Sequence, residues 1–210
     1  MIYLIGGPPK CGKTTLSKKM SRELGIPWIS ADTLQVIARK YMNKKDAVKK
    51  FPWSAIRRKN KSSNDITYGK YTAKEIVELY NVQAEATHDA IDMFSVCEIT
   101  DGNDYIVEGY QVTPKLVATL SKKYGANNFK TVFLARKDTQ KFIEDCKKST
   151  TPNDWILTNT KQPETYLKIA NMISEYSSFF EKESKKYGYR VFNMDQDFHA
   201  QLDIIKSYLK

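Results

Sequence analysis

Cysteine is scarce in this 210-residue chain: Cys11, Cys97 and Cys146 are odd in number, far apart and form no C-x-x-C pair. That pattern excludes a disulfide framework and a zinc ribbon, and it fits a reducing, cytoplasmic compartment. Histidine is scarcer still, with His88 and His199 too distant in sequence to suggest a histidine metal site. No apolar run approaches the ~20 residues needed to cross a bilayer. The short run from Met1 to Ile5 gives way at once to Gly6-Gly7-Pro8-Pro9, so no membrane segment or membrane partner is expected. Internal repeats and low-complexity linkers are also missing. What remains, 41% hydrophobic and 28% charged residues, describes a chain able to bury one good core.

Basic residues are plentiful. Thirty-four Lys plus Arg against 24 Asp plus Glu give a net charge of +10, which implies an anionic partner. The excess is uneven: residues 1 to 70 carry +12, 71 to 110 carry −8, and 111 to 210 carry +6. The densest stretch, residues 39 to 61, holds ten basic side chains against Asp46 alone and is interleaved with Phe51, Pro52, Trp53 and Ile56. Apolar residues among the charges indicate a folded surface rather than a solvated tail.

Short apolar runs alternate with longer helical patterns. Strands are expected over residues 2–5, 27–30, 105–108, 130–135 and 190–193, and helices over about 13–24, 72–94, 113–125, 138–148, 163–187 and 198–209. Gly25 and Gly188 fall at positions just past helix ends, Thr72 and Glu75 form a capping box, and Thr113-Pro114 reads as N-cap and first helical residue. The acidic face Glu78, Glu85, Asp89 and Asp92 is expected near the basic block. Strands alternating with helices predict one doubly wound α/β domain with a five-stranded parallel sheet.

Gly7-Pro8-Pro9-Lys10-Cys11-Gly12-Lys13-Thr14 satisfies G-x-x-x-x-G-K-[ST], directly after the first expected strand and before the first helix. Glycines let backbone N–H groups turn inward around phosphate oxygens, and the helix N-terminus adds unpaired donors and its positive dipole end. Lys13 is placed to reach β- and γ-phosphates, the Thr14 hydroxyl to ligate Mg²⁺, and Thr15 to bond the α-phosphate. ATP and Mg²⁺ are thus the expected cofactors. Cys11, near the helix N-terminus, reads either as a thiol of lowered pKa or as a small tolerated side chain. Asn43-Lys44-Lys45-Asp46 has the letters of a guanine-reading N-K-x-D segment but lies in a basic, helix-like stretch with no strand before it, so a GTPase is not expected.

These features resemble the P-loop kinases of the nucleoside-monophosphate-kinase-like group, which includes adenylate kinases, chloramphenicol phosphotransferase, zeta-toxin-type kinases and proteins labelled 2-phosphoglycerate kinase. The resemblance rests on the P-loop, on Ile29-Ser30-Ala31-Asp32, on Tyr105-Ile106-Val107-Glu108-Gly109 and on Arg136. It implies a single kinase domain over 1–210, with a helical acceptor-binding lobe inserted at 39–100 and a lid at 136–160. It further implies a catalytic trio of Lys13, Asp32 and Arg136. Asp32 would act as base toward an acceptor hydroxyl, although the residues alone also allow it to be a helix N-cap. Glu108, with Gly109, would hold Mg²⁺ through water or bind the acceptor, and Tyr110, Gln111 and Thr113 follow on the same rim. Arg57 and Arg58 would grip an anionic acceptor through their fork geometry, with Trp53 and Tyr68 either lining that pocket or packing the lobe. Lys137, Lys141, Lys147 and Lys148 are the other lid cations, and adenine would lie by Asp195 and the loop through Phe198.

The leading expectation is ATP- and Mg²⁺-dependent transfer of the γ-phosphoryl group to a small, anionic, hydroxyl-bearing acceptor. The alternatives are a nucleoside monophosphate kinase, a nucleic-acid binder or polynucleotide 5′-end kinase, and a non-catalytic ATP-dependent switch.

Overall fold

In the computed structural model, which describes residues 1–209, β1 (Ile2–Gly6), α1 (Lys13–Leu24) and β2 (Trp28–Ser30) are followed by a helical excursion. It comprises α2 (Ala31–Lys40), α3 (Lys44–Lys50), α4 (Pro52–Lys59), α5 (Asn64–Lys70), α6 (Ala73–Glu85) and α7 (His88–Thr100). The chain returns through β3 (Tyr105–Glu108), α8 (Pro114–Tyr124), β4 (Phe129–Ala135), α9 (Thr139–Lys147), α10 (Trp155–Asn159), α11 (Pro163–Tyr187), β5 (Val191–Asn193) and α12 (Phe198–Leu209). All strand pairs are parallel in the order β2-β3-β1-β4-β5, so the sheet is doubly wound about β1. Every residue of β1 is buried, as expected of a strand covered by helices on both faces. No helix among the described residues is long and apolar enough to cross a membrane.

Register brings the chemistry together. Ile5 lies opposite Glu108, and Ser30 opposite the same Glu108, so the carboxyl ends of three neighbouring strands meet where the loop after β1 begins. This is the switch point at which doubly wound sheets hold ligands.

Two local expectations need correction. The pattern over residues 72–94 predicted one helix, but α6 ends at Glu85 and α7 starts at His88. The Thr87 hydroxyl donates to the Gln83 carbonyl (2.9 Å), while the Thr87 amide bonds Ala84 instead (3.0 Å), a side-chain substitution for a helical rung that turns the axis. The acidic face also finds different partners: Glu85 pairs with Lys115 (3.1 Å) and Asp92 with Lys123 (2.6 Å), both on α8 rather than in the basic block.

Candidate active site

The phosphate cradle is built by backbone conformation. Gly7 (φ 132°) and Gly12 (φ 90°) occupy left-handed backbone, and an added Cβ would lie 2.3 Å from the Leu134 carbonyl oxygen at Gly7 and 2.5 Å from the Phe198 ring at Gly12. Only glycine fits either place. Helix α1 begins with no side-chain cap bond and no acidic residue in its first turn, so its leading N–H donors and dipole face the loop uncompensated. Lys13 is buried and arches back over the loop, its ammonium donating to the Pro8 carbonyl (2.6 Å).

Beside it, the Thr14 hydroxyl donates to Glu108 Oε1 (2.9 Å). Burial pushes the Glu108 carboxyl above its ordinary value, with Lys13 and the Thr14 bond pulling the other way. A hydroxyl and a buried carboxylate are hard oxygen donors, and no larger His/Cys/Asp/Glu cluster exists among the described residues. That set fits Mg²⁺, which takes one or two protein ligands and completes its shell with water and phosphate oxygens. Thr15 lies on the exposed side of α1, outside the central cavity. Cys11 is fully buried, and burial pushes its thiol up to about 12, which settles its two readings in favour of the inert one.

From Pro9, Lys10, Lys13 and Thr14 a cavity of about 550 Å³ runs past Asp32, Glu108 and Gly109 to the helical excursion. Asp32 sits in the first turn of α2. The N-cap is Ser30, whose hydroxyl accepts from the Asp32 amide (3.3 Å), so the N-cap alternative for Asp32 is corrected and its carboxylate is free to point into the cavity. The Gln111 side chain donates to Asp32 Oδ1 (2.7 Å) and to Gln35 Oε1 (3.1 Å). Gln35 also accepts from the Tyr110 hydroxyl (2.6 Å), which in turn accepts from Gln83 (2.9 Å). This chain of neutral groups fixes the carboxylate from behind. Gln111 therefore orients Asp32, and Thr113 is the N-cap of α8.

Opposite the cradle, Arg39, Arg57 and Arg58 all line the cavity. Three of the six arginines in the sequence are thus gathered at one place, against two of 28 lysines, Lys10 and Lys13. Arg57 donates to Asn64 and lies over the Trp155 ring (5.8 Å), which holds its fork in one orientation. Burial pushes the Arg39 guanidinium below its ordinary value, and its neighbour Arg58 pushes it further the same way. Such crowding of like charges is relieved by an anion. Arg39 was not singled out from the sequence, yet a signal was available: Asp32, Gln35 and Arg39 recur at helical spacing, and all three face the cavity. Trp53 is in the wall, whereas Tyr68 is 2% exposed and packs behind it edge-on (5.9 Å). Asn43 of the N-K-x-D lookalike simply caps α3, accepting from the Asp46 amide (2.9 Å).

The segment after β4 differs from the expected lid. Arg136 is buried, pairs with Asp145 (2.6 Å) and Asp195 (3.6 Å), and does not line the cavity. The reason is register: Ala135 lies opposite Asn193, so the residues just past both strands face each other. Asp195 also accepts from the amides of Lys137 (2.7 Å) and Asp138 (3.0 Å), tying two sheet ends together rather than standing free for a nucleotide base. Lys137 is paired with Glu181 (2.9 Å). What does reach the cavity is Trp155, at the start of α10. Its loop is held down by an ion pair between Asp154 and Lys10 of the P-loop, by Asn64 bonding the Trp155 carbonyl (3.0 Å) and Thr160 (2.9 Å), and by Asp65 accepting from the Lys161 amide (3.0 Å).

No family model matches the chain, and no curated protein matches it. Among solved structures, it is similar to shikimate kinase from Bacteroides thetaiotaomicron, at 15% identity and a TM-score of 0.52, over 100% of this chain and 98% of that one. Shikimate kinase from Aquifex aeolicus is also similar, at 15% identity and a TM-score of 0.41, over 98% and 93% of the two chains. At this identity the first likeness establishes the fold alone, a doubly wound parallel sheet spanning the whole chain.

Proposed function

We propose that the protein is an ATP- and Mg²⁺-dependent phosphotransferase that moves the γ-phosphoryl group to a hydroxyl on a small anionic acceptor. The observation that carries this reading is the single cavity with the P-loop at one end, three arginines at the other, and the Asp32 carboxylate between them. Its volume, about 550 Å³, suits a small molecule. That the solved structure of similar fold bears the name of a kinase is in keeping with it.

Within this reading, the P-loop amides and Lys13 bind and orient the nucleotide's phosphates, while Thr14 and Glu108 hold the metal. Bound Mg²⁺ would draw charge from the phosphate oxygens. Arg39, Arg57 and Arg58 grip the acceptor's carboxylate or phosphate and so place its hydroxyl at Asp32. Asp32 takes the hydroxyl proton as the new acceptor O–P bond forms and the bond from the γ-phosphorus to the bridging oxygen breaks, leaving ADP. With Arg136 committed to two carboxylates and Lys10 to Asp154, Lys13 is the cradle cation left for the transferred group, and the arginines serve the acceptor. A hydroxyl acceptor is preferred to a nucleoside monophosphate because an oriented carboxylate has a proton to remove only in the first case.

An acceptor screen by coupled ADP production tests the proposal, with small hydroxy acids and phosphorylated alcohols beside the nucleoside monophosphates. Acceptor-dependent turnover that collapses in Asp32→Asn supports it. Faster turnover with a monophosphate and no sensitivity to Asp32→Asn would shift the reading to a monophosphate kinase. Tight, steeply salt-dependent binding of oligonucleotides would point instead to a nucleic-acid substrate.

A further inference from the structure

A second cavity, about 770 Å³, adjoins the first on the outer side of α2 and α4. Both helices divide their faces between the two spaces. On α2, Asp32, Gln35 and Arg39 face the first cavity, while Val36, Ile37 and Lys40 face the second; on α4, Ser54 and Arg57 face the first and Ala55 the second. The residue at the boundary of each helix lines both spaces, and in each case it is an arginine, Arg39 and Arg58.

The second cavity has an unusual lining for an exposed surface. Val36, Ile37 and Val48 are 51%, 50% and 48% exposed, an apolar patch left open to water where most helices present polar side chains. Its rim carries Lys40 and Lys44 besides the two arginines, and no acidic residue lines it. Apolar side chains beside Tyr41 and four cations, with no acidic residue among them, complement a molecule that is apolar in body and anionic at one end. Because the cations nearest the first cavity are shared with it, that end belongs at the boundary.

Resting on the phosphotransferase reading, we propose that the second cavity is an annex of the acceptor site and that the acceptor is an amphiphile. Its oxyanion sits between Arg39 and Arg58, its hydroxyl points to Asp32, and an aromatic or branched aliphatic body lies against Val36, Ile37 and Val48. The annex selects against small hydrophilic acids, which would leave this surface wet, and in favour of acceptors that cover it.

1-Naphthyl phosphate and inorganic phosphate are the probes, and methyl NMR of the full chain is the readout. Naphthyl phosphate is expected to shift the Ile37 and Val48 methyl resonances and to bind at least about tenfold more tightly than inorganic phosphate, equivalent to about 1.4 kcal/mol. Val48→Asn and Ile37→Asn, both at half-exposed positions, should each shrink that advantage, and Arg58→Gln should weaken binding about tenfold. Unperturbed methyls, equal affinities for the two probes, or an advantage unchanged in both variants overturns the annex. Displacement of naphthyl phosphate by an oligoglutamate peptide or an oligonucleotide at tenfold lower concentration overturns it too, since the occupant would then be a macromolecule. Binding does not depend on turnover. Naphthyl phosphate seated at Ile37 and Val48 in a chain that never phosphorylates any acceptor sinks the kinase reading and leaves an amphiphile-binding cavity that is no acceptor annex, whereas turnover without that binding keeps the kinase reading and sinks the annex.

Discussion

The two ends of the central cavity are built in opposite ways. At the cradle, every contributing atom except those of Glu108, the Leu134 carbonyl and the Phe198 ring comes from one continuous stretch, Gly7 to Thr14, whose backbone is bent by glycine. At the far end, Arg39 comes from α2, Arg57 and Arg58 from α4, Tyr80 from α6, and Trp155 from beyond β4. The first end needs a single loop to fold correctly, and on the proposed reading backbone amides, which all sequences share, do the binding. The second depends on four elements agreeing on position, and side chains rather than backbone form its wall. On the proposed reading, this difference gives a fixed phosphate grip and a variable acceptor wall.

The comparison can be broken most forcefully at the residue between the ends. Asp32→Asn should lower acceptor phosphorylation by about 10²–10⁴, the usual contribution of a general base, while leaving ATP affinity as it was. Equal losses in turnover and ATP binding would mean that the carboxylate belongs to the cradle. Lys13→Ala acts on the cradle itself and should cut turnover about 10²–10³-fold. Calorimetry should show ATP binding weakened and acceptor binding kept; loss of both would mean that the ends are not separable.

Smaller effects sharpen the link between the ends. The Asp154 carboxyl is 5% exposed; burial raises it, but the bonds from Lys10 and Ser149 more than offset that, and it stands below its ordinary 3.8. Stabilisation from this pair is complete above the ordinary value and is lost as pH falls through the lower folded one. Asp154→Asn should lower stability at pH 7 by about 1.5–3 kcal/mol and flatten the acid limb of a pH–Tm profile; an unchanged acid limb would place the pair outside the folding balance. Arg39→Lys keeps the charge and loses the fork, so the acceptor KM should rise about tenfold with kcat nearly constant, and a fall in kcat instead would give Arg39 a part in the transition state. Lys115→Ala removes an exposed pair with Glu85 far from either end and should move the unfolding free energy by no more than about 0.5 kcal/mol, a shift that chemical denaturation can bound.

Much of the fold was legible along the chain. The five strands, and helices such as α1, α11 and α12, lie where periodicity, Gly25, Gly188 and Pro163 put them, because these signals are local: a left-handed residue ends a helix whatever packs nearby. The break at Thr87 was not legible, since threonine is compatible with a continuing helix and only the Gln83 carbonyl bond shows which way it went. The fate of Arg136 was hidden for a different reason. Sequence places it at the end of β4 but does not say that β5 ends alongside with Asp195, or that α9 turns Asp145 back toward it. Charge arithmetic likewise located a basic block without telling which of its cations turn inward.

The sequence by itself determined the glycine-bent loop and the Lys13-Thr14 pair that follows it, because each depends on backbone conformation and on neighbours a few residues away, and the alternation of strands with helices implied the parallel sheet. Tertiary structure alone decided that Arg39 joins Arg57 and Arg58, that Gln111 holds Asp32, that Arg136 is withdrawn, and that Val36, Ile37 and Val48 stay uncovered. Those outcomes depend on how helices from distant parts of the chain are stacked. A +10 net charge records the supply of cations, and packing determines which of them meet an anion.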